Sequence, residues 1–308
     1  MINESLRILV VYSQNSGKIM PFVVEQVEDL KTKGCDVDFF PIIGKGMVGY
    51  LKNRRRLLLK IKEFKPDVLH AHFGLSGLLA NLQRKIPVVS TYHGCDINTF
   101  KLRIFSLFSI IFSKYNIFVS QKQVEKVKWL LNKKYQILPC GINLKDFYLE
   151  DKNDARIKMG LSVKGFYILF SSSFDRKEKN PMFAKNIIAR IPDAELIELK
   201  GYSREEVKSL MNACDVGLMT SIREGSPMFV KEMLACRKPV VSTNVGDVED
   251  MIGNIEGCYI IDFDIENAVN KVKLASQCHR IEVPAEIEDK YNSETIAENL
   301  IKIYHSVK

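Results

Sequence analysis

Residues 224–239 read Glu-Gly-Ser-Pro-Met-Phe-Val-Lys-Glu-Met-Leu-Ala-Cys-Arg-Lys-Pro, with seven residues between Glu224 and Glu232. Ser226 is expected to cap a helix whose first position is Pro227, where a missing N–H costs nothing. The free amides of that first turn, around Gly225 and Ser226, and the positive end of the helix dipole suit an anion or a sugar hydroxyl. Glu224 would sit on the entry loop, and Glu232, further in, would accept two vicinal hydroxyls. A capped helix with two solvated glutamates gives the same pattern, so the pair acquires meaning only from the rest of the chain.

Other residues carry weaker signals. Tyr92-His93-Gly94-Cys95-Asp96 ends a strand pattern, where an imidazole could bond a sugar and the Gly94 backbone could approach a ligand closely. Asp96 is expected to hold that loop, although a strand-end histidine is often structural. His70 and His72 share one face of a strand, but no third and fourth ligand follow at metal-binding spacing, so no metal is expected. Gly44-Lys45-Gly46-Met47-Val48-Gly49 matches a dinucleotide fingerprint letter for letter, yet it follows the second strand and the next strand ends in His70-Ala71-His72 rather than in an acid. The seven cysteines contain no C-x-x-C pair and are read as reduced thiols of a cytosolic protein.

These residues need elements to position them. Short β-branched runs at 7–12, 37–43, 68–71, 88–91, 117–120 and 136–138 alternate with helical patterns, and the alternation restarts at 167–171, 194–199, 216–219, 240–243 and 259–261. Repeated strand-helix-strand units imply an α/β protein of two Rossmann-like domains, each a parallel sheet covered by helices. The join lies near 139–151, giving an N-terminal domain 1–147, a C-terminal domain 148–290 and a last helix 291–308 that either domain could accept, the N-terminal one included. Ligands of open parallel sheets bind beyond the carboxyl ends of the strands, so the expected site is a cleft faced by both domains.

In this order the motifs resemble retaining family 4 glycosyltransferases of the GT-B fold (glycosyl transferases group 1). The two glutamates followed by Lys-Pro-Val-Val-Ser-Thr-Asn-Val-Gly look like that family's donor motif. Arg7-Ile-Leu-Val-Val-Tyr resembles its first strand, Ser16-Gly17-Lys18 its glycine loop, and Asp67-Val-Leu-His-Ala-His72 and Thr91-Tyr-His-Gly-Cys-Asp96 its acceptor-side strands. Ile137-Leu-Pro-Cys-Gly-Ile-Asn is similar to its hinge, which more often reads Pro-Asn-Gly-Ile-Asp. The resemblance implies that Glu232 binds the donor ribose, that Glu224 faces the transferred sugar, and that amides at Gly225, Ser226 and beside Pro227 hold sugar or phosphate oxygens. It implies that Lys179 and Arg176, in the loop 174–180, clamp the diphosphate, with fixed cations stabilising the departing charge. His93, Gly94, Asp96, Ser16 and Gly17 would face the transferred sugar and the acceptor. Two departures stand out: Phe174 occupies the family's usual Arg position, and a strand-helix unit is missing before the strand at 216, which leaves Lys200, Gly201 and Tyr202 as base-site candidates.

Hydrophobic residues at 46% and charged residues at 27% exclude disorder and collagen-like structure, and the stretch 102–119 is too interrupted to span a bilayer. The N-terminus lacks the basic start and long apolar core of a signal peptide. The net charge of +8 divides into +11 for residues 1–150 and −3 for the remainder. The basic stretch with Lys52, Arg54, Arg55, Arg56 and Lys60 reads equally as an anionic-membrane face or a solvated face; nothing accompanies it that would read nucleic acid. The resulting expectation is a metal-independent, cofactor-free, retaining hexosyltransferase, cytoplasmic and peripheral on the inner membrane face, moving sugar from a UDP- or GDP-type donor to a glycan or lipid-linked acceptor in polysaccharide biosynthesis. The alternatives are a non-catalytic nucleotide-sugar binding module and a nucleotide-sugar epimerase.

Overall fold

A computed structural model of the chain describes residues 5–15, 17, 19–131 and 134–308. It packs as two units, residues 1–141 with 293–308 and residues 142–292. The division at Gly141 and Ser293 follows the hydrogen bonding: the Ile142 amide donates to the Tyr291 carbonyl at 2.8 Å and Ile142 bridges Asn292, so both crossings belong to the second unit from residue 142 and up to 292. The sequence pattern had placed these joins at 147 and 290.

The first unit holds a six-stranded parallel sheet made of β1 (Arg7–Ser13), β2 (Asp36–Ile42), β3 (Val68–His72), β4 (Val88–Tyr92), β5 (Tyr115–Phe118) and β6 (Tyr135–Ile137), in the order β2-β1-β3-β4-β5-β6. Its strands alternate faces. Ile8, Val10 and Tyr12 join one core cluster, whereas Leu9 and Val11 join another with Phe40, Leu57 and Leu79. The final helix, Ser293–Val307, belongs to this unit and puts Ile296, Leu300, Ile303 and Tyr304 into the first cluster against Val23 and Val27. β5 ends two residues before the expected 120, because the Gln123 side chain takes the Val119 amide at 3.1 Å.

Helix Gly74–Asn81 crosses helix Phe100–Phe112 at very short range. A methyl group on Gly74 would lie 2.0 Å from Ser106 Oγ, and one on Gly77 2.1 Å from Ser109 Oγ. Small residues on both helices are what let them touch. The fingerprint-like glycines have a similar explanation. Gly44, at φ +130°, and Gly49 pack backbone against backbone, so a Cβ on either would fall within 3 Å of the other's main chain. They close a turn rather than cradle a nucleotide.

The second unit is a five-stranded parallel sheet of β7 (Phe166–Phe170), β8 (Ala194–Glu198), β9 (Val216–Met219), β10 (Val240–Thr243) and β11 (Tyr259–Ile261), ordered β11-β10-β9-β7-β8. In both sheets the strand order reverses beside the first strand of the unit, between β1 and β3 and between β7 and β9. Helices leave these strand pairs toward opposite faces, which opens a crevice at the carboxyl edge. Among the described residues no helix is long and apolar enough to cross a membrane.

Gly74→Ala should lower the folding free energy by about 1–3 kcal/mol through overpacking, read as a fall in urea midpoint; an unchanged midpoint would mean that the two helices do not pack this closely.

Candidate functional site

In the second unit, the loops that leave β7 and β9 are tied together at the reversal point. Thr220 Oγ1 donates to the carbonyls of Lys179 and Asn180, both at 2.9 Å, and the Ile222 amide donates to the Glu178 carbonyl at 3.0 Å. This brings Lys179 Nζ to 2.5 Å from Glu224 Oε1, with both side chains mostly buried. Asn180 turns left-handed at φ 53°, and Pro181 then starts the helix Pro181–Ile188. Two residues 45 positions apart in the chain thus form one ion pair at the sheet edge.

The following helix departs from the expected cap. It runs Met228–Ala235 with Pro227 at the cap position and no side-chain cap. Ser226 instead donates its hydroxyl to Asp247 Oδ2 at 2.6 Å, and Tyr291 donates to the same oxygen at 3.1 Å. A buried carboxylate is a stronger acceptor than a serine hydroxyl is a cap, and it wins that hydroxyl. Burial pushes the Asp247 carboxyl up, while Oδ1 has no protein partner. Gly246, at φ 59°, lets the Gly225 backbone pass directly over it: a Cβ there would meet the Gly225 carbonyl oxygen at 2.4 Å. Gly225, Ser226 and Pro227 are therefore held in place from below.

Glu232 is not open to solvent. It is 4% exposed and ion-paired with Arg204, whose guanidinium lies 4.4 Å over the Phe147 ring. Arg204 is the first residue of helix Arg204–Ala213, behind the Ser203–Glu206 capping box. The sequence pattern does not show the backward reach of Arg204. Arg176 is exposed and forks onto its neighbour Glu178 at 2.7–2.8 Å, so it does not join Lys179 and Glu224. Lys200 pairs with Asp175 at 3.1 Å on the surface, holding its side chain beside the loop after β7. Gly201 turns at φ 85° and Tyr202 is part-exposed at the entrance to the Arg204 helix. Phe174 packs on Phe170 at 5.4 Å, and the Lys185 ammonium sits 4.4 Å above its ring, placing a cation where the Phe174 position itself has none. No motif spacing marks Lys185; it arrives from the next helix.

In the first unit, the loop after β1 carries Gly17 at φ 82°, its amide donating to the Gln14 carbonyl; Ser16 lies outside the described residues. Beyond β3 and β4 lies a chain of rings. Tyr304 OH is 2.6 Å from His70 Nδ1, His70 Nε2 is 2.8 Å from Thr91 Oγ1, His72 Nδ1 is 2.9 Å from His93 Nε2, and His93 Nδ1 is 3.4 Å from Cys140 Sγ. Burial lowers the pKa of both His70 and His72, the latter to about 3, so both are neutral at physiological pH. His72 Nε2 is buried without a partner, and a bare lone pair there is less costly than an orphaned N–H. His72 therefore donates from Nδ1 to His93 Nε2, and His93 carries its proton on Nδ1, toward Cys140.

Asp96 organises the same edge. Its Oδ1 accepts from the Gly94 amide at 2.9 Å and its Oδ2 from the Gly74 and His93 amides at 3.3 and 3.4 Å. Burial raises its pKa to about 6 against those amides, which favour the charged form. Gly94 takes φ 126°, a conformation only glycine adopts without strain. Among the described residues no three His, Cys, Asp or Glu side chains gather as metal ligands. His70 and His72 are engaged with Tyr304, Thr91 and His93.

Residues 22–146 match the model described as Glycosyltransferase Family 4, and residues 179–295 match Glycosyl transferases group 1. The chain is 27% identical over 226 residues to the putative teichuronic acid biosynthesis glycosyltransferase TuaC of Bacillus subtilis, covering 63% of this chain and 57% of that protein. It is 22% identical over 271 residues to the UDP-Gal:alpha-D-GlcNAc-diphosphoundecaprenol alpha-1,3-galactosyltransferase of Escherichia coli, covering 71% and 69%. The match thus spans little more than half of the first relative. The structure of Anabaena HepE in complex with UDP and glucose superposes with a TM-score of 0.74 at 16% identity, covering 98% of this chain and all of that one. That likeness fixes the fold as GT-B.

Neutral His70 and His72 give stability that is complete above the ordinary imidazole pKa of about 6.5 and is lost as the pH falls toward their folded values. Their ring resonances should hold constant from pH 7.5 to pH 5 in an NMR titration. A His72 midpoint near 6.5 would contradict the buried chain of rings.

Proposed function

Because the chain belongs to the GT-B glycosyltransferases that join a Glycosyltransferase Family 4 domain to a Glycosyl transferases group 1 domain, we propose that it transfers a hexose from a nucleoside-diphosphate sugar to a glycan or lipid-linked glycan, with retention and without a metal. The observation that carries this reading is the Lys179–Glu224 ion pair at the β7/β9 edge. A diphosphate is a better partner for the Lys179 ammonium than one carboxylate, and once it binds, Glu224 is released to accept hydroxyls of the transferred sugar. One contact within the protein is exchanged for two contacts to the donor.

The remaining roles follow from position. Glu232 binds the ribose from its pair with Arg204; Gly225, Ser226 and the amides after Pro227 meet sugar or phosphate oxygens; Lys200, Gly201 and Tyr202 lie toward the base. Arg176 must leave Glu178 to reach phosphate, and Lys185 over Phe174 is a second cation for that task. Fixed cations stabilise charge on the departing diphosphate, which is the work a metal would otherwise do. The acceptor attacks on the face from which the diphosphate leaves, so no protein nucleophile is required and positioning carries the rate. In the first unit, Gly17, Ser16, His93 and Gly94 face the acceptor and the sugar, with Asp96 as the loop's anchor.

The donor class is supported by the Escherichia coli relative, a UDP-Gal galactosyltransferase, and by the UDP-bound Anabaena structure, and a lipid-linked acceptor by the former. A cytoplasmic enzyme peripheral on the membrane's inner face fits such an acceptor. Its basic segment is two helices, Gly46–Leu51 and Arg54–Phe64, broken where the Asn53 side chain donates to the Ile43 and Gly49 carbonyls. Lys60 is engaged by Asp38 at 2.5 Å and Arg56 by Asn53 at 2.8 Å, which leaves Lys52, Arg54 and Arg55 as the cations presented to an anionic surface.

With a panel of UDP- and GDP-sugars and lipid-linked acceptors, wild type should turn over at least one donor. Lys179→Ala should lower kcat/KM about 10²-fold or more, and Glu232→Ala should raise the donor KM. Donor binding without transfer would favour a non-catalytic nucleotide-sugar module, and no binding with Glu232→Ala inert would reject the enzyme. Charge reversal at Arg54, Arg55 and Arg56 should weaken flotation with anionic vesicles; unchanged flotation would remove that helix from the membrane contact.

A further inference from the structure

The helix Phe100–Phe112 is greasy on both sides. Its inner face is engaged: Ser106, Ser109 and Ile110 are buried. Its outer face carries Phe100, Ile104, Phe108, Ile111 and Phe112, all exposed, Phe100 by 71%. At 100° per residue, the first four fall within one narrow stripe. The only tryptophan of the chain, Trp129, is 73% exposed on the short turn Lys128–Leu130 that touches this helix. Five large apolar side chains and a tryptophan turned outward together exceed the scatter of single exposed residues expected on a soluble surface.

Cations border this stripe at both ends. Arg103 lies 6.0 Å from the Phe100 ring centre, with Lys101 beside it in sequence. At the other end Arg84 sits 5.4 Å over Phe112, and Arg84, Lys85 and Lys114 line a surface pocket of about 450 Å³ with Phe112. No carboxylate is among its lining residues. The loop that presents two of these cations is built for the purpose by Gln83, whose Oε1 accepts from the Lys85 and Ile86 amides at 2.7 and 2.8 Å and whose Nε2 donates to the Ile86 carbonyl at 2.7 Å. Arg84 then adopts a left-handed backbone at φ 56°.

We propose that this face is a bilayer-docking surface, with the phosphate of an anionic phospholipid headgroup seated among Arg84, Lys85 and Lys114 and the Phe100–Phe112 stripe lying in the interfacial layer beside Trp129. Charge complementarity selects a lipid surface over a protein partner: aromatic and aliphatic groups in one stripe, cations at its rim and a pocket of cations without carboxylates are the features of an interfacial helix. The helix is about 20 Å long and starts at the carboxyl edge of β4, seven residues after His93. A bilayer along it would bring a lipid-linked acceptor to the edge where His93 and Gly94 stand. The inference rests on the membrane association proposed above, but places it on residues apart from Lys52–Lys60.

The test uses the intact chain with phosphatidylcholine vesicles, with and without phosphatidylglycerol, read by flotation and by Trp129 emission. Wild type should float with the phosphatidylglycerol vesicles and its emission should shift to the blue. Arg84→Gln, Lys85→Gln and Lys114→Gln should each weaken partitioning about fivefold, and Ile104→Ser with Phe108→Ser should abolish the blue shift with the melting temperature kept. Excess inorganic phosphate should not displace the protein; displacement by phosphate alone would make the pocket a free-anion site and overturn the proposal. Wild-type flotation that ignores these substitutions but is lost on charge reversal at Arg54, Arg55 and Arg56 would overturn the surface and keep the membrane association. A wild type that floats with no vesicle overturns both, and a vesicle-free dimer dispersed by the stripe variant would assign the face to a second copy of the chain.

Discussion

The Lys179–Glu224 ion pair is the contact around which the second unit's edge is arranged. It draws together loops from two strands that the sheet order already makes neighbours, and Thr220 locks the main chain beneath it through two carbonyls. Removing one partner would leave the other charge largely buried, a change that typically costs about 3–5 kcal/mol. A pair so placed is also poised to be exchanged: a ligand with more negative charge than one carboxylate can take the lysine and leave the glutamate with hydroxyls to bind.

Around that pair, a layer of unadvertised residues fixes the machinery. Asp247 takes the hydroxyls of Ser226 and Tyr291, and Gly246 allows the Gly225 backbone to pass. Arg204 reaches back to Glu232 across Phe147. In the first unit, Asp96 gathers three amides, His93 stands between His72 and Cys140, and Tyr304 and Thr91 hold His70. The terminal helix contributes Tyr304, which bonds His70 in β3.

Much of this was legible in the chain. The eleven strands of the described residues lie within two residues of the β-branched runs, and those buried on both faces, such as β1, β7 and β9, are written as continuous apolar runs. Glu224, Glu232 and Lys179 took their expected roles from the resemblance to the family rather than from spacing alone. Two things were not legible. Ser226 looked like a cap because a cap is a local pattern, whereas its true acceptor, Asp247, lies 21 residues away. Arg204 and Lys185 are surface-type residues by sequence, and only the return of their helices across Phe147 and Phe174 gives them a site. The glycines at 44–49, set aside as a nucleotide loop from their place after the second strand, owe their letters to close main-chain approach. The outward stripe at 100–112 showed in sequence only as part of a stretch too interrupted to span a bilayer, because which face of a helix is covered depends on its neighbours.

Calorimetric titration of bare nucleoside diphosphate against wild type, Lys179→Met and Glu224→Gln probes the exchange at the ion pair most directly. Lys179→Met should bind at least about tenfold more weakly than wild type. Glu224→Gln should bind the bare diphosphate as tightly as wild type or more so, because the competing carboxylate is gone, while its sugar transfer falls about 10²-fold. Equal diphosphate affinity in wild type and Lys179→Met, or full transfer by Glu224→Gln, would contradict the assignment of this edge to the donor.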